Sequence, residues 1–219
     1  MSEWSASDEV WARLEAAMVA RDPGLLEWLG PPADESALQR IEKEVGQRLP
    51  EEVRYAYLRH DGQRSSLGHD LAPPYRLPLF FSYWWMPLDE VLSAWQTRVG
   101  IADEQHDDWV DARAEPYLDG KVVMQLFWYR GWVPIGRDES RGRCFVDLMP
   151  GRTGTHGQLV SYLDVDPPED NDVFATGLND YLWRLADCLE TGKIRGAHDR
   201  YGERVATYNF NDVWQGKLI

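Results

Sequence analysis

His60-Asp61, His69-Asp70, His106-Asp107 and His198-Asp199 place an imidazole beside a carboxylate four times, using four of the chain's five histidines. Nitrogen and oxygen donors paired in this way serve metal-dependent phosphohydrolases, in which doublets on packed helices converge on one or two ions that activate water. The surroundings of these doublets point elsewhere. His60-Asp61 closes a helical pattern at Gly62, and the other three lie in polar stretches. Helix ends and turns favour both residues, and a histidine there also complements the C-terminal helix dipole. HExxH, GxSxG, the phosphate-binding loop and CxxC are all absent.

A second stretch, "YRGWVPIGRDESRGRCFVDLMPG" over residues 129–151, gathers arginines, glycines and Asp147. A catalytic carboxylate needs a second acid, a histidine or a metal ligand close by, and the stretch supplies none at a recognisable spacing. Asp147 precedes the turn pair Pro150-Gly151, so it is expected to accept backbone N–H groups that hold the turn. Arg137, Arg141, Arg143 and Arg152, with "GRTGTHG" at 151–157, could clamp an anion. No strand-to-helix step accompanies those glycines, and the arginines are expected to be solvated or paired with nearby acids. Pro134 lacks an N–H and belongs at an edge, a bulge or a strand end. The stretch therefore predicts a hairpin, with no catalytic residue, cofactor or metal. The 11 tryptophans invite a carbohydrate platform, but most fall at core spacings.

Charge is the strongest global signal. Twenty-three Lys and Arg against 37 Asp and Glu give −14, which repels phosphate backbones and disfavours nucleic acid as a partner. The acids concentrate in two places. Residues 101–120 carry Asp103, Glu104, Asp107, Asp108, Asp111, Glu115 and Asp119 against Arg113 alone; residues 164–172 add Asp164, Asp166, Glu169, Asp170 and Asp172. Trp109, Tyr117, Val173 and Phe174 lie among or beside them, and aromatics amid acids suit a contact surface with an electrostatic rim. The expectation is a basic protein partner meeting Asp103, Asp107, Asp108, Trp109, Asp111, Asp164, Asp166, Asp170 and Asp172. Cys144 and Cys188 form no CxxC and read as buried reduced thiols. No signal-peptide pattern and no membrane-spanning apolar run is present, which predicts a soluble, cytoplasmic protein with no membrane partner.

Around these residues the periodicity defines the elements. "SDEVWARLEAAMVARDPG" predicts a helix with Ser7 as cap and Val10, Leu14 and Met18 on one side. A second helix begins at Asp34, carries Leu38, Ile41 and Val45, and ends at Gly46 in a left-handed conformation. "LPEEVRYAYLRHDG" restarts a short helix at Pro50, with Val53, Tyr57 and Leu58 inward. "LFFSYWW" reads as a buried strand and "PLDEVLSAWQTR" as a helix. Residues 101–120 read as a loop or polar helical insertion. "KVVMQLFWY" predicts a central strand, apolar on both faces. "RCFVDLM" and "QLVSYLDV" add two strands, and "GLNDYLWRLADCLETGK" a helix with Leu178, Leu182, Leu185 and Leu189 on one side. The last 24 residues hold one more strand or an irregular tail. Helices first, a meander with short links next and a helix last is an α+β order with an antiparallel sheet.

Two blocks resemble the SUKH superfamily. The first is a helix ending in glycine, then Leu-Pro, an aromatic-bearing helix and an Asp-Gly stop: here Gly46, Leu49, Pro50, Tyr57, Asp61 and Gly62. The second is a "W-x-P-I-G" strand, a Gly-containing hairpin, "D-x-x-P" and a "G-x-V" strand: here Trp132, Pro134, Ile135, Gly136, Gly142, Asp147, Pro150, Gly157 and Leu159-Val160. The resemblance covers roughly residues 31–192. It implies a single α+β domain over 31–195, a twisted antiparallel sheet with flanking helices, preceded by a helical extension (1–30) and followed by a tail (196–219). That superfamily holds yeast cell-wall assembly regulators and many bacterial immunity proteins. The resemblance thus implies a non-catalytic protein binder, and a monomer or weak homodimer is expected. Neutralisation of a cognate toxin is the first expectation and a signalling scaffold the second.

Overall fold

A computed structural model describes residues 4–63, 78–80, 83–108, 118–123, 128–138, 142–163, 168–198 and 204–207. Its elements run α1 (Ser5–Arg21), α2 (Gly24–Glu27), α3 (Glu35–Val45), α4 (Glu51–Arg59), β1 (Trp84–Trp85) and α5 (Leu88–Asp108). They continue with β2 (Trp132–Arg137), β3 (Gly142–Asp147), β4 (Gln158–Leu163), a 3-10 turn (Asp170–Asp172), β5 (Val173–Ala175), α6 (Leu178–Glu190), β6 (Arg195–His198) and β7 (Arg204–Thr207). Strands β1 to β5 form one antiparallel sheet in sequence order, and β6 pairs with β7 in a separate hairpin. This is the α+β architecture that the order of elements predicts.

Alternation along the central strands divides the core between the two faces of the sheet. Val133, Ile135, Cys144, Val146 and Leu159 point into a large cluster with Trp11, Leu14 and Met18 of α1, Leu38 and Ile41 of α3, Val53 and Tyr57 of α4, and Leu182 and Leu185 of α6. Trp132, Phe145, Val160 and Tyr162 point the other way, onto Trp95 and Val99 of α5 and onto Trp128. Trp132 stacks on Phe145 with ring centroids 4.7 Å apart, and Trp128 meets both edge-on. These tryptophans are buried, so they make no open platform for a sugar. Cys144 and Cys188 are buried free thiols.

Several local expectations hold. Gly46 takes φ +78°, and Pro134 sits at a bulge where β2 slips against β3. Asp138 closes the β2–β3 hairpin by accepting the Gly142 N–H at 2.9 Å. Others are corrected. Helix α1 starts at Ser5, so Ser7 lies inside it and is buried; its Oγ accepts the Asn179 side-chain N–H at 3.0 Å instead of capping. Asp34 occupies the cap position of α3 without a side-chain cap bond. Among the described residues of "LFFSYWW", only Trp84–Trp85 forms a strand of the sheet. Residues 121–123 and 128–129 are not strand, and the middle of that predicted strand, 124–127, lies outside the described residues. Helix α5 continues to Asp108 because Ala102, Glu104 and Gln105 sustain helix as well as the apolar turns before them.

The first helix lies outside the residues that carry the family resemblance, yet it belongs to the same core. Trp11, Leu14 and Met18 are at most 1% exposed, each burial contributing about 1.5–3 kcal/mol. Arg13 clasps Asp187 and Glu190 of α6, and Arg59 of α4 holds Glu15 at 2.5 and 2.8 Å. Burial alone would raise the Glu15 pKa, but the bonds from Arg59 and His60 outweigh it and bring it down to about 2.

Candidate protein-binding face

Asp147 ends β3, fully buried, opposite Gln158 at the start of β4. Its two oxygens accept the Met149 N–H and the Gln158 Nε2–H, each at 3.0 Å. Burial pushes its carboxyl up to about 6, and those two bonds pull only partly against it. Gln158 carries the connection onward: Nε2 also donates to the Lys121 carbonyl at 2.7 Å, and Oε1 accepts the Thr155 N–H at 3.0 Å. Asp147 therefore holds the turn, as the sequence predicts, through a network that also fixes Lys121.

The glycine-rich turn after β3 is packed too closely to cradle an anion. Gly151, Arg152 and Thr153 donate their N–H groups to Lys121, Leu118 and Gly120, and Gly157 donates to Asp147. A Cβ at Gly151 or Gly154 would come within 2.2 and 2.1 Å of the Gly120 and Lys121 carbonyl oxygens, which is the reason for glycine at both. These amides are taken by backbone carbonyls.

Facing this ladder, the 3-10 turn brings in the second acidic stretch. Asp170 Oδ1 accepts the Lys121 and Val122 N–H groups at 2.5 and 3.3 Å. Asp172 and Glu169 cap each other's backbone, with Glu169 N–H to Asp172 Oδ2 at 2.7 Å. The end of the first acidic stretch thus meets the start of the 3-10 turn. Of the residues predicted to contact a partner, Asp103 is exposed on α5 and pairs with Arg130 at 2.6 Å. Asp107 and Asp108 close the backbone of α5, while Asp170 and Asp172 lie on the 3-10 turn. Trp109, Asp111, Asp164 and Asp166 lie outside the described residues.

The catalytic candidates have other partners. His60 Nδ1 lies 3.1 Å from the Gly30 carbonyl and Nε2 lies 3.0 Å from Glu15, while Asp61 accepts the Leu88 N–H at 2.8 Å as α5 begins. His106 and His198 lie on α5 and β6; His69, Asp70 and Asp199 are outside the described residues. Arg137 bonds Glu90 at 2.8 Å and Arg152 bonds Asp119 at 3.0 Å, as expected of paired arginines. Arg143 donates to the Gly142 carbonyl, and Arg141 is outside the described residues. Arg137 and Arg143 are cross-strand neighbours facing Asp89, Glu90 and Ser93 over an open cleft of mixed charge.

Residues 32–184 match the family model of the SMI1 / KNR4 family (SUKH-1). The chain belongs to this family. The match runs from just before α3 into α6 and takes in both motif blocks. The chain is 21% identical over 212 residues to cell wall assembly regulator SMI1 of Saccharomyces cerevisiae, covering 83% of this chain and 40% of that protein. It is 24% identical over 217 residues to KNR4/SMI1 homolog 2 of Debaryomyces hansenii, covering 86% and 36%. The chain thus spans well under half the length of the curated relatives it matches.

Sequence reasoning passed over Gln158, whose role depends on standing opposite Asp147 across a strand pair, a register no single segment displays. It also passed over two exposed apolar residues beside the acids, Leu118 (49% exposed) and Met149 (40%). Their only signal was an apolar residue next to turn residues. Among the described residues no helix is long and apolar enough to cross a membrane.

Proposed function

We propose that this chain is a non-catalytic regulator that acts by binding a basic protein partner through the face where its two acidic stretches meet. The observation that supports the reading is the Asp170 bond to Lys121 and Val122, which sets the 3-10 turn against the residues that directly follow the 101–120 stretch. Family membership supports a regulatory role, and the structural partners of His60, Asp61 and Asp147 leave those groups little part in chemistry. Neutralisation of a cognate toxin by steric occlusion follows from the resemblance to immunity proteins. Regulation of cell-wall assembly is an equal second reading, favoured by the names of the two curated relatives. A typical interface for either task buries ~1,600 Å².

A candidate partner comes from the adjacent gene or from pull-down in the source cells. Changing Asp107, Asp108 and Asp111 together to Asn should slow association and leave the fold intact. Raising salt should do the same, since screening shortens to ~3 Å at 1 M. Kinetics indifferent to both changes would remove the acidic face from the reading. Phosphoester turnover with Mn²⁺, Co²⁺ or Zn²⁺ that is lost in His60→Ala would overturn the non-catalytic reading itself.

A further inference from the structure

Leu118 and Met149 stand on adjoining backbone: the Leu118 carbonyl accepts the Arg152 N–H at 2.7 Å, three residues beyond Met149. Both are exposed large apolar side chains, and among the described residues such side chains are few. The backbone beneath them is held from every side. Residues 151–153 bond 118–121, Asp170 bonds Lys121 and Val122, Gln158 bonds the Lys121 carbonyl, and Leu148 N–H bonds Gly131 at 2.9 Å. Met149 also packs against Gly131 so closely that a Cβ there would lie 2.6 Å from its own Cβ. Two apolar side chains on so fixed a base lose little backbone freedom when covered, a condition for a strong contact point.

The charges around them choose the occupant. Asp119, Glu169 and Asp170 are exposed on the same ladder and 3-10 turn, where Arg152 is the counter-charge on Asp119 and Lys121 is a second exposed cation, so the acids are in excess by one. A second copy of a chain carrying −14 would bring acid against acid, and a nucleic acid would bring phosphate against acid. Resting on the protein-binding reading above, we infer that Leu118 and Met149 form the apolar centre of the contact face. Its occupant is a basic amphipathic segment of the partner, an apolar side chain flanked by lysines or arginines. The acids steer and orient it; the apolar pair sets how long it stays.

The test uses the full chain with ¹³C-methyl-labelled methionine and a short helical peptide of leucine and lysine as probe. Of the five methionines, the Met149 methyl should shift on titration. Leu118→Ser should weaken the peptide roughly tenfold, the loss expected for one apolar side chain. Val19→Ser, at an equally exposed apolar position on α1, should leave affinity unchanged. The same peptide with glutamate for lysine should not bind. A bound peptide that leaves the Met149 methyl and the Leu118→Ser affinity unmoved overturns the placement and leaves the protein-binding reading standing. No binding of the Leu/Lys peptide at low salt overturns the partner class. Concentration-dependent self-association that shifts Met149 without peptide assigns the face to a second copy and overturns the proposal. Metal-dependent turnover would instead sink the protein-binding reading and leaves these readouts where they are.

Discussion

Asp147 is a carboxylate in a fully buried place, and its pKa of about 6 against an ordinary 3.8 makes it a source of pH-dependent stability. A carboxyl raised in the folded state binds its proton more tightly there than in the unfolded chain. Its contribution is therefore fully present below about pH 4 and is lost as pH rises through about 6. The loss amounts to about 3 kcal/mol at most. Asp147→Asn cannot titrate, so the difference in melting temperature between wild type and variant should change steadily between pH 4 and pH 7. The comparison of slopes matters more than absolute stability, because an Asn amide facing Gln158 Nε2 could lose that bond. A difference independent of pH over this window would mean that folding does not raise the Asp147 pKa above its ordinary value. Glu15 works in the opposite sense and in another window: its pKa is lowered to about 2, so its contribution stands above about pH 4.5 and fades below it. The two effects are separable in one titration.

Elements were most legible where a single residue decides the backbone. Gly46 ends α3 at φ +78°, and a Cβ there would meet nothing within 4 Å. The cost of Gly46→Val is then conformational alone, at least ~1 kcal/mol, because a β-branched residue is strained at positive φ. Urea unfolding should show a lower midpoint with an unchanged slope, and an unmoved midpoint would refute the local argument. The same kind of local chemistry revealed the Pro134 bulge, the turn-holding Asp147 and the leucine line of α6. Where two distant segments decide, sequence patterns failed. Ser7 looked like a cap because it precedes acids, but its hydroxyl answers Asn179, 172 residues away. Arg54, which no sequence pattern singled out, is buried and bonds both Glu35 and Glu42 of α3. Glu52, in the first turn of α4, accepts the Leu178 and Asn179 N–H groups that open α6, a partnership 126 and 127 residues apart. Of the predicted contact residues, Asp170 and Asp172 were visible as charge. Their work on the backbone of 121–122 and 169 needed the fold to appear.

At the scale of the whole molecule, the chain's first helix is closed over by one of its last. Arg13 meets Asp187 across 174 residues, and Trp11, Leu14 and Met18 lie in one core with Leu182 and Leu185. During synthesis those apolar side chains leave the ribosome long before the helix that covers them. At ordinary translation rates the wait is roughly 10–30 s. For that interval α1 is an amphipathic segment with its apolar side open to water, the kind of surface that chaperones bind. Ribosome-arrested chains ending at residue 170 should therefore leave α1 open to protease, and chains extended well past residue 190 should protect it. Equal protection in both would show that α1 finds cover among α3 and α4 alone. The rate at which this core becomes native is then set by the delay between making α1 and making α6, however quickly the elements between them fold.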